Sequence, residues 1–234
     1  IIDKYDLFHD FNKIEHAINI LKDNEPSDGY ILGFSGGKDS TVVYDLAKKS
    51  NVKFTAEYNI TTIDPPEIIN YVKNNNIKMI KPAVSMYELI QIKKILPTRK
   101  IRYCCDILKE NTSPEKTKIL GIRKSESYKR SKYNFIHNYK NNKWILPILD
   151  WTINDVWEYI KINKLEYCKL YDEGFKRLGC VLCPLTSKKN KLKEMQRFPN
   201  IVNIYLKAIK KLMLKGYMLN YSSPEEVLRW WVNL

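Results

Sequence analysis

At 234 residues, 44% of them hydrophobic and 28% charged, the chain has the length for one sizeable core and the composition of a globular protein. No apolar run approaches the length of a membrane span, and the five cysteines in a chain without a secretory leader pattern argue against a disulfide scaffold. The net charge of +14 points to polyanionic partners such as nucleotides or nucleic acid, and a lysine-rich compositional bias accounts for it equally well. A cytoplasmic protein is the expectation, because Ile1-Ile2-Asp3-Lys4-Tyr5-Asp6 has no signal-peptide pattern.

Taken in order, residues 8–22 carry Phe8, Phe11, Ile14, Ile18 and Leu21 at helical period, which predicts an amphipathic helix. A turn from Asp23 to Asp28 leads into a short buried strand, Tyr30-Ile31-Leu32. After a glycine-rich loop comes a helix beginning near Thr41, then a strand over 52–58. Pro65-Pro66 opens a helix from about Glu67 to Lys73, and Ile77–Ile80 reads as a third strand. The stretch 84–117 is less regular. Lys118–Ile122 and Trp144–Ile148 read as further strands, separated by a polar loop, Ser131 to Lys143. Thr152 with Asp155 three residues on predicts a capped helix, and the chain is helical in character from Lys188, with a last helix started by Ser223-Pro224. Strand–helix alternation predicts an α/β fold, a parallel sheet sandwiched by helices, with a helical C-terminal part. The expected division is an α/β domain over 1–185 and a helical extension over 186–234.

The loop Ser35-Gly36-Gly37-Lys38-Asp39-Ser40 is the most informative stretch. Strand, glycine turn and helix N-terminus in that order make an anion site, since backbone N–H groups and the helix dipole both favour negative charge. Gly36 and Gly37 let the backbone approach a phosphate, Lys38 adds a mobile charge, and Ser40 or Asp39 is suited to cap the helix. It is not a Walker A loop: Asp39 follows the lysine and Leu32 stands where the first glycine belongs. Among the cysteines, Cys104 and Cys105 are adjacent, Cys180 and Cys183 form a C-x-x-C pair, and Cys168 stands alone. Arg123 and Arg130 flank a serine-rich turn after a strand. They suit bidentate phosphate or sulfate recognition, or else belong to a solvated basic loop.

The loop resembles the pyrophosphate loop of the adenine-nucleotide α-hydrolase, or ATP pyrophosphatase, superfamily. Within that superfamily the chain is similar to the phosphoadenosine phosphosulfate reductase family. The matching pieces are Ser35–Ser40, Thr62–Glu67, Cys104-Cys105, Gly121-Ile122-Arg123 with Ser125–Ser127 and Arg130, Pro147–Thr152, Leu170–Phe175, and Gly179–Pro184. The resemblance implies a nucleotide site made of Ser35, Gly36, Gly37, Lys38, Asp39, Ser40, Gly121, Arg123 and Arg130, with Lys38, Asp39 and Arg123 closest to the chemistry. It implies ATP or a sulfonucleotide as ligand, with Mg²⁺ expected beside ATP. From the iron–sulfur members it implies a [4Fe–4S] cluster on Cys104, Cys105, Cys180 and Cys183. The same four thiolates are also a zinc set, although adjacent cysteines are unusual there, and buried unligated cysteines are a third reading.

One family feature is missing from these residues. Sulfonucleotide reductases use a cysteine in a C-terminal Glu-Cys-Gly-type segment, and no cysteine follows Cys183. The expectation is therefore either a chain cut short or a protein that is not a reductase. The preferred reading is an ATP pyrophosphatase that adenylates an acceptor, DNA or tRNA, for sulfur insertion, with a cysteine desulfurase as sulfur source. The alternatives are a sulfonucleotide reductase served by a thiol reductant, or a non-catalytic nucleotide-binding subunit. No membrane partner is expected, and the oligomeric state is not legible.

Overall fold

The computed structural model describes residues 12–110 and 115–233. Phe8 and Phe11, the first apolar positions of the predicted N-terminal helix, lie outside them. The described part, α1 (Lys13–Asp23), is capped by Asn12, whose side chain accepts the N–H groups of Ile14 and Glu15.

The chain divides into two compact units, each assembled from three separate stretches. The first takes the described residues within Ile1–Tyr58, Asn70–Met79 and Ser113–Arg177. Its sheet is built from β1 (Tyr30–Gly33), β2 (Phe54–Asn59), β3 (Lys78–Ile80), β4 (Thr117–Ile119), β5 (Ile136–Tyr139) and β6 (Asn142–Ile145), in the order β3-β2-β1-β4-β6-β5. β1 runs parallel to β2 and β4, and β4 parallel to β6. Right-handed strand–helix–strand connections require such a sheet to be covered by helices. Here α1 packs against α2 (Lys38–Ser50), and α2 against α7 (Ile153–Ile162). Ala17, Leu21, Leu32, Val42, Leu46, Ile119, Ile145 and Tyr159 close the core with no more than trace exposure. Each large apolar side chain among them contributes roughly 1.5–3 kcal/mol of burial.

The parallel sheet sandwiched by helices is as expected, and one edge adds an antiparallel strand to it. β5 pairs antiparallel with β6, inside the stretch predicted as a loop. Its burial alternates exposed and half-buried, so one face covers the sheet while the other meets solvent, as an antiparallel edge permits. The sheet is mixed and mostly parallel.

The α7 start is as its sequence predicts. Thr152 accepts the Asp155 N–H and Asp155 accepts the Thr152 N–H at 2.6 Å, a reciprocal capping box. Thr152→Ala is expected to lower stability by about 1 kcal/mol in urea unfolding. Burial alone would raise the Asp155 pKa, but the Thr152 N–H and hydroxyl and the Lys13 ammonium hold it below the usual value. A lowered carboxylate contributes stability above its unfolded pKa and loses it as pH falls through the folded one. The Thr152→Ala difference is thus expected to shrink in acid.

The second unit takes the described residues within Asn59–Ile69, Ile80–Thr112 and Leu178–Leu234. Its helices include α4 (Met86–Lys93), α8 (Lys188–Arg197), α9 (Pro199–Leu214) and α10 (Pro224–Asn233), with α9 packed on α4 and α10. α9 buries Ile201, Val202, Tyr205, Ala208, Ile209 and Leu212 along one stripe. Trp231 is 1% exposed and donates its indole N–H to the Pro97 carbonyl at 2.6 Å, the partner a buried Trp requires. No helix among the described residues is long and apolar enough to cross a membrane.

Candidate functional site

The glycine loop follows the carboxyl end of β1, where ligands of parallel sheets collect. Its geometry is held from below. The Phe34 N–H donates to the Glu57 carbonyl at 2.9 Å, fixing the strand exit. Gly36 takes φ +73°, a left-handed bend that favours glycine. The Ser35 N–H and Ser35 hydroxyl both donate to Ser40 Oγ, at 3.2 and 3.1 Å, and Ser40 donates to the Gly37 carbonyl at 2.8 Å. Ser40 thus ties the loop to the first turn of α2. It does not cap the helix as expected, and neither does Asp39: the cap position falls to Gly37, which has no side chain to offer. Helix N–H groups at this end are therefore not claimed by a capping side chain of the cap residue.

Charge is assembled around Asp39. Arg123 Nε lies 2.6 Å from Asp39 Oδ1, and Lys38 Nζ lies 3.3 Å from Asp39 Oδ2. Arg123 is 5% exposed and also donates to Ser125 Oγ at 2.9 Å; its own N–H is taken by Glu126 at 3.0 Å. One carboxylate therefore orients two cations beside the loop. Arg130 is instead paired with Glu126 in an i,i+4 contact on a largely exposed turn.

Gly121 has a steric reason to be glycine. A Cβ there would stand 2.8 Å from the Asp39 carbonyl carbon and 3.0 Å from the Ser40 nitrogen, both backbone atoms that cannot swing aside. Gly121→Ala is expected to push the loop off β4, costing about 1–3 kcal/mol. Nucleotide affinity should fall with it, as measured by calorimetric titration beside urea unfolding.

Two tyrosines of this unit carry loop contacts that the sequence reading did not single out. Tyr171 Oη accepts the Lys38 N–H at 2.9 Å, and Tyr71 Oη shares a 3.0 Å hydrogen bond with Thr41 in α2. Only the sequence segment around Tyr171 was informative; nothing in spacing or charge marks either phenol.

In the second unit all four paired cysteines are half-buried thiols. Cys104 and Cys105 lie on a short helix, α5 (Tyr103–Cys105), continued by a π-helical turn, Asp106–Glu110. Between Cys180 and Cys183, Leu182 adopts φ +57°. Its N–H donates to Glu194 at 2.6 Å, and the Val181 N–H to the Ile63 carbonyl at 3.0 Å. A left-handed non-glycine residue costs energy, so these bonds hold the C-x-x-C turn in place. The two pairs are near one another. The hydrogen bond with Cys105, then burial, then the charges of Cys105, Cys180 and Cys183 raise the Cys104 pKa, while the same bond lowers that of Cys105. Burial would lower the Lys109 pKa, but Cys180, Asp64 and Cys105 more than offset it, so a firm cation stands beside the thiols.

Among the described residues no three His, Cys, Asp or Glu side chains converge as a single metal ion needs. One zinc ion requires four sulfurs about 2.3 Å from one point. Two cysteine pairs with Lys109 alongside supply the donor type that either a cluster or a zinc ion uses. Cys168 belongs to the first unit and is 1% exposed.

A profile of the phosphoadenosine phosphosulfate reductase domain matches residues 29–186, more than half of the chain. The chain belongs to this family. A protein from Staphylococcus saprophyticus named adenosine 5′-phosphosulfate reductase is 31% identical over 174 residues, covering 67% of this chain and 71% of that one. The uncharacterised protein MJ0973 of Methanocaldococcus jannaschii is 32% identical over 215 residues, covering 84% of this chain. This chain spans only 49% of that relative and 39% of a second, MJ0066 from the same organism. The crystal structure of a Candida auris phosphoadenylyl-sulfate reductase, a phosphate complex, superposes with a TM-score of 0.55 at 17% identity, over 70% of this chain and 87% of that one. That likeness shows a shared fold.

Proposed function

We propose that this family member is an ATP pyrophosphatase that adenylates an acceptor for sulfur insertion, with DNA or tRNA as the acceptor class. The observation that carries the reading is that Asp39 holds Lys38 and Arg123 beside the glycine loop, a preorganised pair of donors for a polyphosphate. An acceptor oxygen would form a bond to the α-phosphorus. The bond from that phosphorus to the bridging oxygen would break, and pyrophosphate would leave with the electron pair. Lys38 and Arg123 stabilise the charge that grows on the departing oxygens, and Mg²⁺ is expected to accompany ATP as its counter-ion. A sulfur nucleophile from a partner such as a cysteine desulfurase would then displace AMP. The net charge of +14 suits a nucleic-acid acceptor.

Cys104, Cys105, Cys180 and Cys183 are the residues that would hold a [4Fe–4S] group. When bound, it would supply an electron store. Lys109 offsets the negative charge of the thiolates around it.

The family relationship favours one second reading, reduction of a sulfonucleotide to sulfite. That reaction needs a thiolate able to reach the nucleotide. Cys168, the one thiol outside the four, is 1% exposed, so the nucleophile would have to come from beyond these 234 residues. A thermal-shift comparison separates the two. ATP at about 100 times its Kd should add about 2.7 kcal/mol of stability. The proposal fails if adenylyl sulfate stabilises the protein, ATP does not, and sulfite is released on adding a dithiol.

A further inference from the structure

Tyr171 ends a short 3₁₀ turn, Lys169–Tyr171. Its ring is fixed edge-on by Trp157, centroids 5.0 Å apart at 89°, with Tyr167 at 6.2 Å. The Lys38 ammonium stands 5.6 Å from the ring centroid. The hydroxyl overhangs the loop: a Cβ on Gly37 would lie 3.4 Å from Oη.

A phenol accepts hydrogen bonds and has one hydrogen to give. Acceptance is used by the Lys38 N–H. Among the described residues the phenol hydrogen finds no acceptor. Burial raises the Tyr171 pKa, so the hydroxyl keeps that hydrogen at neutral pH. An O–H that already accepts from an N–H is polarised into a better donor. The partner it suits is an anionic oxygen, because Lys38 and the N-terminal end of α2 favour negative charge at that place.

We propose that Tyr171 is a phosphate-binding residue, taking the first N–H of α2 and giving its own hydrogen to an oxygen of the pyrophosphate portion of the nucleotide. This rests on the nucleotide reading above and adds a donor to it. The relay would make the loop's grip depend on a side chain 133 positions away in sequence.

The test is calorimetric titration of the full chain with inorganic pyrophosphate and, separately, with adenosine, comparing wild type, Tyr171→Phe and Lys38→Ala. Phenylalanine keeps the ring under Lys38 and against Trp157 and removes only the O–H. Pyrophosphate affinity should fall about tenfold in Tyr171→Phe. Adenosine affinity should stay within about twofold, since the relay touches phosphate alone. If Lys38→Ala weakens pyrophosphate but Tyr171→Phe does not, the Tyr171 assignment is wrong and the nucleotide reading stands. Equal losses for pyrophosphate and adenosine would mean a general disturbance of the fold and also overturn it. If wild type binds no pyrophosphate, both fall together. Should the phenylalanine variant unfold, 3-fluorotyrosine at position 171 keeps the shape and strengthens the donor. It should tighten pyrophosphate, and unchanged or weaker binding contradicts the proposal.

Discussion

Serine in place of Cys104, Cys105, Cys180 or Cys183 is expected to remove iron and acid-labile sulfide from the anaerobically purified protein almost completely, while Cys168→Ser leaves both in place. The four thiols lie in one unit, the charges of Cys105, Cys180 and Cys183 act on Cys104, and the C-x-x-C turn is held by Glu194 and Ile63. Cluster assembly needs all four ligands, so each loss acts on the whole group rather than on a quarter of it. Binding of a preformed group also contributes to folding, and the variants should unfold at lower temperature than the loaded wild type. Zinc and no iron in the wild type would sink the cluster assignment. Iron retained in any one of the four variants would remove that cysteine from the ligand set.

Arg123→Ala is expected to lower pyrophosphate release from ATP by about 10²–10³-fold, the loss typical of one preorganised donor. It should also destabilise the fold by about 1–3 kcal/mol, since it strips a half-buried carboxylate of its closest partner and leaves it Lys38 alone. Arg123→Lys should recover part of the stability and little of the rate. A lysine cannot serve Asp39 and Ser125 from one planar group as Arg123 does at 2.6 and 2.9 Å. Steady-state kinetics beside urea unfolding checks both halves. A variant with wild-type turnover would show that Arg123 only braces the loop.

Much of this was legible in the residues because the physics is local. Tyr30–Leu32 followed by paired glycines and then a helix has few other readings, and the Thr152–Asp155 box forms within one turn. The β5 edge was not legible. Its residues, Ile136-His137-Asn138-Tyr139, lie in a lysine- and asparagine-rich run, and only pairing with β6 turns that run into a strand. Capping failed for a similar reason. Ser40 is a good cap by type, yet α2 begins at Lys38, so its hydroxyl lies inside the first turn and serves the loop instead.

Tyr171 and Tyr71 show the limit of sequence reading more generally. A tyrosine's composition and spacing say nothing about what its hydroxyl meets, and Tyr171 reaches Lys38 only because two distant stretches fold into one unit. The units themselves are each made of three separate segments, so no shift in composition marks where one gives way to the other. Gly121 falls between these cases. The resemblance pointed to it, and the reason appeared only with the Asp39 backbone against its Cα.

The most direct test of the central claim is release of pyrophosphate from ATP labelled in its β- and γ-phosphates, by protein purified without oxygen, with Lys38→Ala as the control and with DNA or tRNA added in separate arms. The account predicts labelled pyrophosphate, rather than inorganic phosphate, at a rate that rises with one of the nucleic acids and is lost in Lys38→Ala. No pyrophosphate in any arm, together with sulfite from adenylyl sulfate, would contradict it.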